Sequence, residues 1–247
     1  MGGVAIVTGG GTNIGRSAAL ALAGAGWDVV VAGRRQEPLD DAVARGGERV
    51  SAIIADVTDE ASVDNLFAQT VDRFGRIDLL FNNAGVMAGG APIAEFTTEA
   101  WLKTIATNVT GSFLCARAAF RQMAAQKPMG GRIINNGSIS AYVPRPNMAA
   151  YTTSKHAVTG LTRQLSLEGR AYDIACGQID IGNSFGDLPP DFAGATMLQA
   201  DGSQRAEPIM DVVHIGEAVL HMAQLPLDAN VQFMTIMATK MPYVGRG

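Results

Sequence analysis

Val4-Ala5-Ile6-Val7-Thr8-Gly9-Gly10-Gly11-Thr12-Asn13-Ile14-Gly15 is the stretch whose reading decides the fold. Residues 4–8 form a short apolar run with no polar face, as a strand covered on both sides requires. Glycines follow, and the pattern then changes to helical periodicity over residues 14–25. Such a turn lets the backbone fold tightly and approach a pyrophosphate without Cβ clashes. The helix that follows offers unpaired N–H groups and the positive end of its dipole to phosphate. No Gly-Lys-Ser/Thr follows, so this is not a Walker loop. A plain Gly-rich turn is the competing reading.

Outward from this stretch the same alternation recurs. Apolar runs at 28–33, 50–55, 77–82, 132–137 and 173–179 read as further strands, with a weaker seventh at 231–237. Helical patterns at 38–45, 59–74, 97–125, 149–171 and 211–223 separate them. Strand–helix–strand repetition with short connections gives a parallel sheet. The expected fold is therefore α/β: a doubly wound, Rossmann-like sheet of about seven strands with helices on both faces. No Pro-, Gly- and Ser-rich linker divides the chain, so residues 1–247 are expected to form a single domain. The long connection 181–208, which holds Pro189-Pro190 and Gly194, reads as a lid over a substrate.

The second strand ends Val31-Ala32-Gly33-Arg34-Arg35. A site for NAD(H) usually places a carboxylate there for the ribose hydroxyls, whereas guanidinium groups suit a 2′-phosphate. Arg34 and Arg35 therefore predict NADP(H), against a solvated basic turn as the alternative.

Chemistry enters at Tyr151-Thr152-Thr153-Ser154-Lys155. Tyr and Lys four apart on a helix share one face. A phenol is a poor base at neutral pH, and a nearby ammonium favours its phenolate form. Tyr and Lys fall four apart on many ordinary helices, so the spacing needs company. Gly137-Ser138-Ile139-Ser140 supplies it, at the carboxyl end of the fifth strand, where parallel sheets bind ligands. The Ser138 hydroxyl can donate to a substrate oxygen as negative charge develops there. Ser140 is its neighbouring competitor.

Taken together and in order, these elements resemble the short-chain dehydrogenase/reductase family from residue 3 to about 180, and more loosely to the C-terminus. The turn from Thr8 to Gly15 resembles the family's cofactor motif, with Gly9, Thr12, Asn13, Ile14 and Gly15 as the expected contacts. Asp56-Val57 resembles its adenine-contacting pair, and Asn82-Asn83-Ala84-Gly85 its Asn-Asn-Ala-Gly motif. Asn108 matches the helix asparagine that supports a water relay. The resemblance implies that Ser138, Tyr151, Lys155 and Asn108 are catalytic. Tyr151 would exchange a proton with the substrate oxygen, and Ser138 would polarise that oxygen. Lys155 would promote the phenolate and bind the nicotinamide ribose. Asn83, Ala84, Gly85, Arg34, Arg35, Tyr151 and Lys155 would contact NADP(H), together with Ser184 in the loop after the sixth strand. The implied activity is hydride transfer between NADP(H) and a carbonyl or alcohol. Reduction of an imine or C=C bond is an alternative, as is a non-catalytic NADP(H)-binding sensor or scaffold.

Three departures stand out. Asn13 replaces a motif glycine, although Asn tolerates left-handed backbone. Ile181-Gly182 replaces Pro-Gly, and the tail from Ala238 to Tyr243 lacks the usual Asp-Gly-Gly ending.

Bulk properties fit this reading. The chain is 47% hydrophobic and 17% charged, with a net charge of −4, which argues against nucleic-acid or anionic-membrane partners. No signal peptide or membrane span is read, so a cytoplasmic location is expected. Cys115 and Cys176 read as buried thiols, and His156, His214 and His221 lack companions at metal-ligand spacing, so no metal is expected. Arg145, between Pro144 and Pro146 near the expected pocket mouth, reads as a solvated loop charge, with contact to an acidic substrate group as the alternative. Phe113, Ala116 and Phe120 carry more apolar surface than one sheet can cover, and with the resemblance they imply a homodimer or homotetramer.

Overall fold

The computed structural model describes residues 2–184, 186 and 196–244. Seven strands form one parallel sheet, and its core is β1 (Val4–Thr8), with all five residues buried. β2 (Asp28–Gly33) and β3 (Val50–Ile54) pair outward on one side. On the other side lie β4 (Leu79–Asn82), β5 (Gly131–Asn136), β6 (Ile174–Ile181) and β9 (Phe233–Ile236), giving the order β3-β2-β1-β4-β5-β6-β9. Chain order reverses between β1 and β4. In a doubly wound sheet, ligands bind at that switch point, beyond the carboxyl ends of the strands.

Helices cover both faces because the strands are apolar on both. On one face α1 (Asn13–Gly24) and α7 (Val212–Gln224) pack with α2 (Gln36–Gly46) over Val7, Val29, Val31 and Phe81. On the other, α3 (Glu60–Phe74), α5 (Ser112–Ala125) and α6 (Ala149–Gly169) bury Ile6, Val30, Leu80 and Ile133. The expected doubly wound α/β architecture is the one observed.

Three details differ from the sequence reading. The helix expected over 97–125 is α4 (Thr98–Ile105) and α5 joined by a π-helical turn, Ala106–Gly111. Extra-wide turns of this kind tend to occur at functional sites, and this one carries Asn108. β6 continues to Ile181, two residues past the expected end at 179 and so through Asp180. Within the expected lid, β7 (Thr196–Leu198) and β8 (Gln204–Ala206) form an antiparallel hairpin, while residues 185 and 187–195 of that segment lie outside the described residues. Among the described residues, no helix is long and apolar enough to cross a membrane.

Candidate active site

The phosphate turn is built from close approaches. Gly9 takes φ +63°, and Asn13, the departure from the motif, takes φ +45°. Asn is among the few non-glycine residues that reach this left-handed region at low cost, so the turn survives the substitution. A Cβ at Gly15 would lie 2.1 Å from the Gly9 carbonyl oxygen, so only glycine lets the helix start so near the strand end. Thr12 caps α1 without a side-chain bond, and the first turn holds no acidic residue. A helix start without a carboxylate of its own suits an anionic ligand.

Thr8 ties this turn to the next strand. Its buried hydroxyl accepts from the N–H groups of Asn83 (2.9 Å) and Ala84 (3.0 Å), while the Asn83 amide donates back to the Thr8 carbonyl at 2.8 Å. The Asn136 amide donates in turn to Asn83 Oδ1 at 2.8 Å. Three strand ends are thereby locked in register around the switch point.

Two cavities meet at this turn. One, of about 240 Å³, is lined by Gly9, Thr12, Gly33, Arg34, Arg35, Asp56, Val57, Ala84 and Gly85, among others. Arg34 reaches toward Asp56, with Nη1 and Oδ2 3.9 Å apart. Partial burial works to raise the Asp56 carboxyl, but the N–H and hydroxyl of Thr58, with Arg34, outweigh it and hold the group below the usual carboxylate range. The other cavity, of about 520 Å³, is lined by Asn13, Ile14, Gly15, Asn83, Ser138, Tyr151, Lys155 and Ser184 among others. Gly9, Thr12, Ala84 and Gly85 line both. The combined groove runs from Arg34, Arg35 and Asp56 at one end, past the start of α1, to Ser138, Tyr151 and Lys155 at the other. Of the residues expected at the site, Asn108 alone lines neither cavity.

Tyr151 and Lys155 share a face of α6, with the ammonium 5.5 Å from the phenol ring centre. Lys155 is buried, and its Nζ donates to the Asn136 carbonyl at 2.7 Å. Ser138 sits at the end of β5, where its Oγ accepts the Ser140 N–H at 3.1 Å. That contact leaves the Ser138 hydroxyl proton available, while Ser140 supports its neighbour through the backbone. Asn108 is buried and clamps Val86 from both sides, accepting from its N–H (2.7 Å) and donating to its carbonyl (2.9 Å). It also donates to Ser154 Oγ at 3.0 Å, which joins the π-helical turn to the Tyr-bearing helix.

Sequence reasoning missed several groups here. Arg145 is not a solvated charge: it lines the larger cavity and pairs with Glu207 at 2.6 Å, the Glu207 side chain being 3% exposed. Gln199 (3.0 Å) and Asn183 (2.8 Å) donate to the same carboxylate. Burial works to raise Glu207, but these partners prevail and hold it below the ordinary glutamate value. Ala116 is fully buried under the sheet, so it adds nothing to an outer face. Phe120 packs edge-on to Tyr172 with ring centres 5.5 Å apart, and Phe113 stays 45% exposed. Cys115 and Cys176 are buried, and burial pushes both thiols up to about 12. No cluster of three metal-ligating side chains occurs among the described residues.

Comparison with known proteins agrees with this geometry. Residues 3–184 match the short chain dehydrogenase family. A short chain dehydrogenase/reductase of Aspergillus oryzae is 38% identical over 191 residues, covering 76% of this chain and 73% of that one. The solved structure of an NAD+-bound xylitol dehydrogenase superposes with a TM-score of 0.84 at 29% identity, over 94% of this chain and 96% of that one. Serine dehydrogenase complexed with NADP+ shares the fold at 23% identity, with a TM-score of 0.85 over 99% and 98% of the two chains. With its phosphate turn at the switch point and its Ser138, Tyr151 and Lys155 around one cavity, the chain belongs to the short-chain dehydrogenase/reductase family of oxidoreductases.

Proposed function

We propose that this chain transfers a hydride between NADP(H) and a carbonyl or alcohol substrate, with Tyr151 as proton donor and acceptor. One observation carries the reading: the Ser138 hydroxyl, the Tyr151 phenol and the Lys155 ammonium line a single cavity that continues into the phosphate turn. The nicotinamide, when bound, supplies or accepts the hydride. In the reductive direction Ser138 donates a hydrogen bond to the carbonyl oxygen, and Tyr151 delivers the proton that completes the alcohol. The Lys155 charge then compensates the phenolate left behind, until that oxygen regains a proton from solvent. Asn108 positions these groups by joining Val86 to the Tyr-bearing helix.

The NADP(H) preference rests on Gly33, which offers no carboxylate, and on Arg34 and Arg35 lining the adenosine end. The whole chain acts as one domain, and the 181–208 segment serves as its substrate lid. The large exposed side chains of Phe113 on α5 and Leu167 on α6 support a homodimer or homotetramer. The two buried thiols support a reducing, cytoplasmic setting.

Tyr151→Phe keeps the ring volume and removes the proton. Turnover of NADPH with a ketone panel should fall by about 10²–10⁴-fold, the range typical of general acid–base groups, with NADPH affinity and melting temperature unchanged. Near-normal turnover in that variant would refute the proton-transfer role. NADPH binding by the wild type without turnover of any ketone would favour a sensor.

A further inference from the structure

β6 is buried at all eight positions, yet it carries a carboxylate. Asp180 is fully buried, in a strand where an apolar residue would fill the space without desolvating a charge. The group is fully engaged. Its Oδ1 accepts the Ser138 N–H at 3.0 Å and the Gln178 amide at 2.7 Å, and its Oδ2 accepts the Tyr142 hydroxyl at 3.1 Å. All three partners donate to the group, as they would to a carboxylate, and with the Lys155 charge they oppose the burial that pushes its pKa above the usual carboxylate range. Gly137 makes room for it, since a Cβ there would lie 2.1 Å from Oδ1.

A ladder of buried polar groups stands behind this carboxylate. Gln178 donates to Thr159 Oγ1 at 3.0 Å and accepts from Thr162 Oγ1 at 2.9 Å, both on the Tyr-bearing helix. Asn135 on β5 donates to Thr162 at 2.9 Å and accepts from Asn82 on β4 at 3.1 Å. The ladder crosses three strands and α6, and at its end a charged oxygen holds the backbone of Ser138. Ser138 is thus gripped twice, at its N–H by Asp180 and at its Oγ by the Ser140 N–H, so the hydroxyl proton keeps one free direction.

We propose that Asp180 is a positioning residue for the reaction: its buried carboxylate fixes the backbone of Ser138, and Tyr142 holds the carboxylate in place. The inference rests on the reading of Ser138 as donor to the substrate oxygen. Buried charges are retained at a stability cost when they fix a specific geometry, and a hydrogen bond to a charged acceptor is about twice as strong as a neutral one. Asp180→Asn would keep the size but lose the charge, and its single oxygen could accept either from Ser138 and Gln178 or from Tyr142, not from both sides.

The test is a double-mutant cycle on the full-length protein, following NADPH oxidation with cyclohexanone, acetophenone and ethyl acetoacetate. Ser138→Ala should lower kcat by about 10²-fold or more, as loss of an oxyanion donor does. Asp180→Asn should lower kcat by about tenfold, as expected when a charge-assisted hydrogen bond becomes neutral, with NADPH affinity unchanged. Because Asp180 acts through Ser138, the double variant should lose no more than Ser138→Ala alone. Additive losses, or a wild-type kcat in Asp180→Asn, would overturn the proposal. Should Asp180→Asn not fold, Tyr142→Phe takes its place in the same cycle with the same criterion. A second readout needs no substrate: the Ser138 amide proton should shift upfield in the ¹H–¹⁵N spectrum of Asp180→Asn, where its acceptor loses the charge, and an unmoved resonance overturns the proposal. A wild-type rate in Ser138→Ala would instead remove the reading of Ser138 itself, whatever the amide shift reports about the contact.

Discussion

Gly15→Ala is the substitution whose effect can be worked most directly from the structure. The new Cβ would lie 2.1 Å from the Gly9 carbonyl oxygen and 2.6 Å from Asn83 Nδ2, where real contacts do not fall below 3.0 Å. The helix start and the strand end must therefore separate by at least 0.9 Å, the difference between 3.0 and 2.1. Neither can do so alone, because Gly9 belongs to the turn at φ +63° and Asn83 is bonded to the Thr8 carbonyl at 2.8 Å. Overpacking of this size costs about 1–3 kcal/mol, and a disturbed buried hydrogen bond adds about 1 kcal/mol. A total of about 2–4 kcal/mol corresponds to a melting temperature lower by about 4–16 °C for a domain of this size. The same separation moves the helix N–H groups away from the phosphates. NADPH affinity, read by fluorescence titration below the new melting temperature, should fall by about tenfold or more, the loss of one charge-assisted contact. Gly24→Ala is the control: it lies at the other end of α1 with nothing within 4 Å of the added methyl, and it should be neutral or stabilising by up to about 1 kcal/mol. A Gly15→Ala protein with wild-type melting temperature and NADPH affinity would refute the argument that close approach dictates glycine there.

Arg34→Asp should shift the ratio of kcat/KM for NADPH over NADH toward NADH by about tenfold or more, since a carboxylate repels a 2′-phosphate, and an unchanged ratio defeats the cofactor assignment. Arg132 is buried on β5, where its guanidinium caps the carbonyls of Leu225, Pro226 and Ala229 at 2.9–3.0 Å. Arg132→Met leaves those acceptors without their donor and should cost about 2–4 kcal/mol, visible in chemical denaturation. Glu207→Gln removes the partner of Arg145, so KM for the ketone should rise severalfold with kcat little changed. The folded value of Glu207 lies below its ordinary 4.5, so the pair's contribution is whole above about pH 4.5 and fades as pH falls further. The gap in melting temperature between wild type and Glu207→Gln should close over that range; a gap that persists would show that the charge is not its source.

The alternation of short apolar runs with amphipathic stretches by itself determines the α/β architecture. A strand buried on both faces can carry no polar side, and a parallel sheet with helices on each face satisfies a series of such runs, the edge strands β3 and β9 being only partly covered. The turn from Gly9 to Gly15 was legible for a related reason: close backbone approach admits few residue types, so its chemistry is written locally. Tyr151 and Lys155 were legible because helical spacing puts them on one face whatever surrounds them. Tertiary structure alone decided the rest. Arg145 and Glu207 stand 62 residues apart, and nothing in either neighbourhood announces the other. Asp180 lies beyond the apolar run read over 173–179, and only the fold brings Ser138, Gln178 and Tyr142 to it. Local sequence fixes backbone shape through sterics and periodicity, whereas partners for a buried charge come from distant segments that meet only when the sheet closes over them.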